Sequence, residues 1–298
     1  MTDPRNPTHP TTPEESTIVS APPRADCIAD SAGGLTFDLD APEGTAGSAH
    51  WPQALVLLRR GGDDQADEVR LPLTPNGDGR LRAVLPSTVA MAEGRWDVHV
   101  DCGEAGNQRL LPGLADLRSL VDRRPGPSTS PLAVRIPYAT KHGNLSVRSW
   151  LRAPHAEAGD LKLDDTGISG RGTLYRVENP REWLTGAFVE ARSRRSSAQV
   201  RTAPVTAEGE DFTFTLSYPE LCADWKGGLE VWDLWLRRSD GSAEARLARI
   251  LDDVADKKQI FVYPGLPVAA PYAPAEVGPY YTADNDLAVR VDERPPVS

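Results

Sequence analysis

From residue 25 onward the chain alternates apolar and polar positions with the two-residue period of half-buried β-strands. Ala54-Leu55-Val56-Leu57-Leu58 is a continuous apolar run, which predicts a central strand. Val69-Arg70-Leu71-Pro72-Leu73 alternates, and its proline, lacking an N–H, predicts an edge. A turn at Asn76-Gly77 precedes Leu81, Ala83 and Leu85, which share one strand face. Trp96, Val98 and Val100 share a face of the next strand. No stretch carries a helical period.

The second half repeats the first. Ala187-Phe188-Val189 matches the apolar run, and Val200-Arg201-Thr202-Ala203-Pro204-Val205 matches the Pro-bearing edge. Phe212, Phe214 and Leu216 match Leu81, Ala83 and Leu85, and Trp232-Asp233-Leu234 matches Trp96-Asp97-Val98. PYATKHGNLSVR starts at Pro137 and PYYTADNDLAVR at Pro279. Several blocks recurring in one order indicate duplication of a structural unit.

Alternating strands without helices imply packed antiparallel sheets. The expected fold is all-β: two tandem immunoglobulin-like β-sandwich domains behind a disordered tail. Residues 1–24, rich in Pro and Thr, form that tail. Residues 25–151 are the first sandwich, 152–292 the second and 293–298 a terminal tail. The Pro/Gly-rich stretch at 123–127 is the alternative boundary. Trp96 and Trp232 are expected in the cores.

The formal net charge of −10 and pI of about 5.1 argue against nucleic acid as a partner. No apolar run is long enough for direct membrane insertion, and the first residues lack a signal pattern, so the expected location is cytoplasmic. Cys27, Cys102 and Cys222 form no CxxC pair and have no histidine at metal spacing. Free thiols are expected, with a Cys27–Cys102 bridge as the alternative.

Chemistry is sparse. The five histidines show no metal spacing, and there is no GxSxG elbow. Thr166-Gly167-Ile168-Ser169-Gly170-Arg171-Gly172 is Gly-rich but lacks the GK[ST] ending of a phosphate loop, so it reads as a hairpin turn. Asp284-Asn285-Asp286 also reads as a turn, because Asn and Asp close turns readily. No catalytic residue, metal or cofactor is expected. Trp51, Trp183 and Trp225 sit in loop-like sequence and are candidate ligand-binding rings, the alternative being packing over sandwich ends. Tyr138 and Tyr281, in the repeated block, complete the candidate set.

The segments RIPYATKHGNLSVRSWLRAPHAEAG, GRWDVHV, VWDLWLRR, RILDDVADKK and PYYTADNDLAVRV resemble actinobacterial tandem β-domain proteins labelled "transferase" or uncharacterised. These are found with glycosyltransferases and glycerophosphotransferases of cell-surface polymer synthesis. The resemblance runs from about Asp26 onward and supplies no catalytic residue. It implies a non-catalytic accessory or binding module that docks a glycosyltransferase, another envelope-synthesis protein or a glycan. Membrane association would come through that partner. The alternatives are a glycosyl- or glycerophospho-transferase with a site between the domains, and a purely structural protein–protein adaptor.

Overall fold

The computed structural model describes residues 22–41, 52–61, 67–77 and 79–294. Most of the expected N-terminal tail, Trp51 and residues 295–298 lie outside the described residues.

The N-terminal unit begins with β1 (Arg24–Ala29), β2 (Leu35–Asp40), β3 (Ala54–Arg59), β4 (Glu68–Pro72), β5 (Thr74–Pro75) and β6 (Arg80–Leu85). It continues with β7 (Gly94–Asp101), β8 (Asn107–Arg109), β9 (Leu111–Asp116), β10 (Leu132–Ala139) and β11 (Leu145–Arg152). The C-terminal unit opens with β12 (His155–Leu163), β13 (Gly167–Tyr175), helix α1 (Pro180–Trp183), β14 (Phe188–Ser193), β15 (Val200–Glu208) and β16 (Asp211–Ser217). Helix α2 (Tyr218–Cys222), β17 (Glu230–Arg237), β18 (Glu244–Ala248), β19 (Leu266–Ala269), β20 (Pro274–Tyr281) and β21 (Leu287–Glu293) follow. The fold is all-β, as the alternation predicts.

The strands of the first unit form two sheets, ordered β5-β6-β2-β1-β9 and β10-β11-β7-β3-β4, with β8 paired to β7. The Pro72-bearing β4 is an edge strand. The C-terminal unit repeats this topology. The neighbours β1–β2–β6 recur as β12–β13–β16, and β3–β7–β11–β10 recur as β14–β17–β21–β20. Register is kept as well: Val147 lies opposite Trp96, and Val289 opposite Trp232.

The second unit departs from the expected two-sheet sandwich. In the first unit β4 pairs with β3 and the separate β5 with β6. In the second, the single strand β15 pairs with β14 through Val200–Pro204 and with β16 through Val205–Glu208. Pro204, which has no N–H to donate, sits where β15 changes partner. On the other side β18 pairs antiparallel with β17 and parallel with β12. The strands β14-β15-β16-β13-β12-β18-β17 therefore close on themselves as a seven-strand barrel, with β21, β20 and β19 extending from β17. Continuous bridging strands turn the same topology from open sheets into a closed ring.

The repeated PYxT block is a pair of equivalent hairpin turns. Thr140 N–H donates to the Asn144 carbonyl and Gly143 N–H to the Thr140 carbonyl; Thr282 and Asn285 repeat both bonds with Asp286 and Thr282. Each threonine hydroxyl accepts a backbone N–H at 3.2 Å, from Asn144 and Asp286 respectively. Gly143 and Asn285 hold φ of +78° and +59°, a region glycine and asparagine tolerate.

The Gly-rich segment is a strand rather than a hairpin turn; only Asp164–Thr166 turns, the Asp164 carboxylate accepting Thr166 and Gly167 N–H groups. Gly170 and Gly172 lie in β13 opposite Phe214 and Phe212 of β16. The corresponding pairs in the first unit are Phe37–Ala83 and Leu39–Leu81. Bulk has moved across the strand pair: a Cβ on Gly170 would lie 2.5 Å from the Phe214 ring.

Trp96 and Trp232 are buried in separate cores. The first core is not closed by its own unit alone, because Ala248, Ile250 and Leu251, which end and follow β18, pack into it. All three cysteines are buried free thiols.

Candidate functional site

Among the described residues, those singled out from sequence do not converge on one surface. Trp183 and Trp225 are 6% and 3% exposed and belong to the C-terminal core, so neither is a stacking platform. Both follow from local capping. Asn179 caps α1 by accepting the Glu182 N–H, which lays Trp183 on the barrel end. Trp225, just beyond α2, donates its Nε1–H to the Gly228 carbonyl at 2.8 Å. Tyr281 is fully buried, in edge contact with Phe261 and beside Tyr263, because β20 turns it inward. Tyr138 alone of the four is half-exposed, on β10 of the other unit.

The structure instead gathers polar groups on the outer face of β12, β13, β16 and β15. Inward Ile168, Phe212, Phe214 and Leu216 force the alternate residues outward. Ser169 and Arg171 from β13, Thr213 and Thr215 from β16, Thr206 from β15, and Asp160 and Lys162 from β12 line a groove of about 560 Å³. The Ser169 and Thr215 hydroxyls lie 3.0 Å apart. Lys162 and Arg171 have no ion pair among the described residues, whereas most groove-distant arginines of the barrel are paired, such as Arg192, Arg194, Arg237 and Arg246.

Asp160 and Arg171 also line a second, more polar cleft of about 690 Å³ between the two units. There Arg123 and Arg124 from the first unit meet Glu157, Asp211, Arg249 and Asp252 from the second. The Glu157 carboxylate accepts the Ile250 and Leu251 N–H groups at 3.0–3.1 Å and faces His155 Nε2 at 2.8 Å. Asp252 pairs with Arg249 at 3.1 Å and with the buried Lys257. Burial, outweighing Asp252, draws the Lys257 ammonium below its ordinary pKa. Asp211 accepts from the Thr173 hydroxyl. The carboxylates on the second-unit wall, Asp160 apart, thus serve the fold. Arg123 donates to the Ala133 carbonyl at 3.1 Å, and burial followed by the nearby Arg176 lowers its pKa.

These cations and hydroxyls are invisible to sequence reasoning. Ser169-x-Arg171-x-Thr173 and Asp211-x-Thr213-x-Thr215 are the polar half of ordinary strand alternation. Only the β13–β16 pairing, joining segments some forty residues apart, places them side by side.

No protein-family model matches this chain, and no curated protein matches it by sequence. Among solved structures it is similar to the crystal structure of S. aureus TarS 217–571, with a TM-score of 0.29 and 16% identity over 66% of this chain. It is also similar to a crystal structure of S. aureus TarS, with a TM-score of 0.28 and 16% identity over 65% of this chain. The chain spans 56% of the first of these structures and 35% of the second.

Proposed function

We propose that this protein is a non-catalytic binding module for an anionic, polyhydroxylated chain, the chemistry of a polyol-phosphate or acidic glycan of the cell surface. The observation that carries this is the groove on the barrel, where unpaired Lys162 and Arg171, against the one carboxylate Asp160, stand among the hydroxyls of Ser169, Thr206, Thr213 and Thr215. An acidic protein that keeps two cations free in a hydroxyl-lined groove has an electrostatic reason to bind a flexible anion there. The groove shares Arg171 with the interunit cleft, so one chain molecule can follow both. The two units read best as related immunoglobulin-like domains meeting at residues 152–155. A glycosyltransferase or another envelope-synthesis protein is the partner we infer, holding the module at the cytoplasmic side of a membrane.

The cleft between the units gives the transferase reading a location, but Glu157 and Asp252 are engaged in holding the fold. Binding therefore accounts for the geometry better. Calorimetric titration with glycerol-phosphate oligomers and with neutral dextran tests it. The oligomer is expected to bind, to weaken as salt rises, and to lose roughly tenfold in affinity in a Lys162→Ala/Arg171→Ala variant, about 1.4 kcal/mol. Equal binding of dextran, or an unaffected double variant, refutes the proposal.

A further inference from the structure

In the N-terminal unit the outer face of β7 and β11 is occupied by the neighbouring unit. Arg148 on β11 is 5% exposed and pairs with Asp284. Trp150 donates its Nε1–H to the Asp284 carbonyl at 3.0 Å, and Arg95 on β7 donates to the Ala283 carbonyl at 3.2 Å. An acidic hairpin turn of one unit is thus seated on an arginine-bearing sheet face of the other.

The duplication carries this face into the C-terminal unit. Arg95 lies opposite Arg148, and Val231 lies opposite Arg290 at the same register beside the core tryptophan. Arg290 is therefore the counterpart of Arg148, Val231 of Arg95 and Asp292 of Trp150, so of the three groups that hold the turn only the arginine of the last strand is kept. Among the described residues no turn is seated on the counterpart face, which the segment carrying Lys258 and Val262 borders. Arg290 is exposed and has no ion pair among the described residues. It borders a groove of about 330 Å³ with Lys258, Leu229, Val262, Tyr280 and Asp292. Leu229 is 54% and Val262 77% exposed at its rim.

We infer that this face docks a partner protein through a turn that presents a carboxylate flanked by apolar residues. The carboxylate pairs with Arg290, helped by Lys258, and the flanks cover Leu229 and Val262. The arginine shared with an interface already formed in this molecule argues for a turn, and the two free cations against one carboxylate, Asp292, argue for its negative charge. A second copy fits less well. The first unit's equivalent turn carries Lys141 and no carboxylate, which would set cation against cation.

The probe is a cyclised hairpin peptide with the sequence of residues 279–289, titrated into the isotope-labelled full chain and followed by amide chemical shifts. Shifts are expected at Leu229, Val231, Lys258 and Arg290. Arg290→Ala, or Asp284→Asn in the peptide, is expected to weaken binding at least tenfold. The exposed Val262→Glu substitution supplies a second variant with the same expected loss, and unchanged thermal melting establishes that each variant is folded. Lys162→Ala/Arg171→Ala leaves peptide binding intact, which separates this face from the polymer groove. Shifts centred on Arg148, no effect of Arg290→Ala, or self-association that depends on Arg290 overturns the inference.

Discussion

Replacing Gly170 with alanine tests the bulk exchange between β13 and β16. The added Cβ would meet the Phe214 Cζ and Cε1 atoms at 2.5 and 2.6 Å, and Leu161 Cδ2 at 3.2 Å. Two effects compete. Alanine in a strand interior gains about 0.5–1 kcal/mol over glycine by restricting the unfolded chain. Overpacking a filled core costs about 1–3 kcal/mol. The clash is expected to win, because the Phe214 ring is 4% exposed and stacks near Phe212 at 6.4 Å, which limits its retreat. The expected net loss is about 1–2 kcal/mol, measured by urea unfolding followed through tryptophan fluorescence. Phe214→Ala alone is expected to cost about 3–5 kcal/mol through its cavity. The double variant Gly170→Ala/Phe214→Ala should lose at least about 1 kcal/mol less than the sum, since the methyl then enters space the ring has left. A neutral Gly170→Ala, or additivity within about 0.5 kcal/mol, refutes the packing account.

Two further outcomes follow from buried and paired groups. Burial pushes the Cys27 and Cys222 thiols up to about 12 and about 11, and Cys102 upward as well, so none should react with iodoacetamide at pH 8 in the native protein, while all three should react in urea, counted by intact mass. The Arg82 guanidinium donates two hydrogen bonds to Asp38 at 2.7 Å and holds that carboxyl below its ordinary value of 3.8. The stabilisation it gives is present above the unfolded-state pKa and is lost as pH falls through the lower folded value. Asp38→Asn should therefore flatten the loss of stability below about pH 4 and lower stability near neutrality, read from denaturation midpoints across pH.

Strand identity was legible wherever apolar alternation was strong. Leu81, Ala83 and Leu85, Trp96 and Val98, and their second-half partners all face the cores. The repeated PYxT block was legible as a recurring unit, and its meaning emerges as a pair of threonine-capped turns. Barrel closure was not legible, because it depends on whether one strand such as β15 stays continuous while it changes partners. Gly170 and Gly172 misled because their large neighbours arrive from a strand distant in sequence. Trp183 and Trp225 looked loop-like because α1 and α2 are too short to print a helical period. The groove cations were hidden for a different reason: an unpaired arginine and a solvated one look the same in a string of letters.

The packing of Ala248, Ile250 and Leu251 into the N-terminal core sets an order on biosynthesis. The ribosome finishes β11 at Arg152 about a hundred residues before it delivers this plug. At roughly 5–20 residues per second the nascent first unit waits about 5 to 20 s with its apolar seat uncovered. Maturation of the leading half is thus tied to emergence of the trailing half, and a fragment released at the junction would carry a permanently open, chaperone-attracting surface.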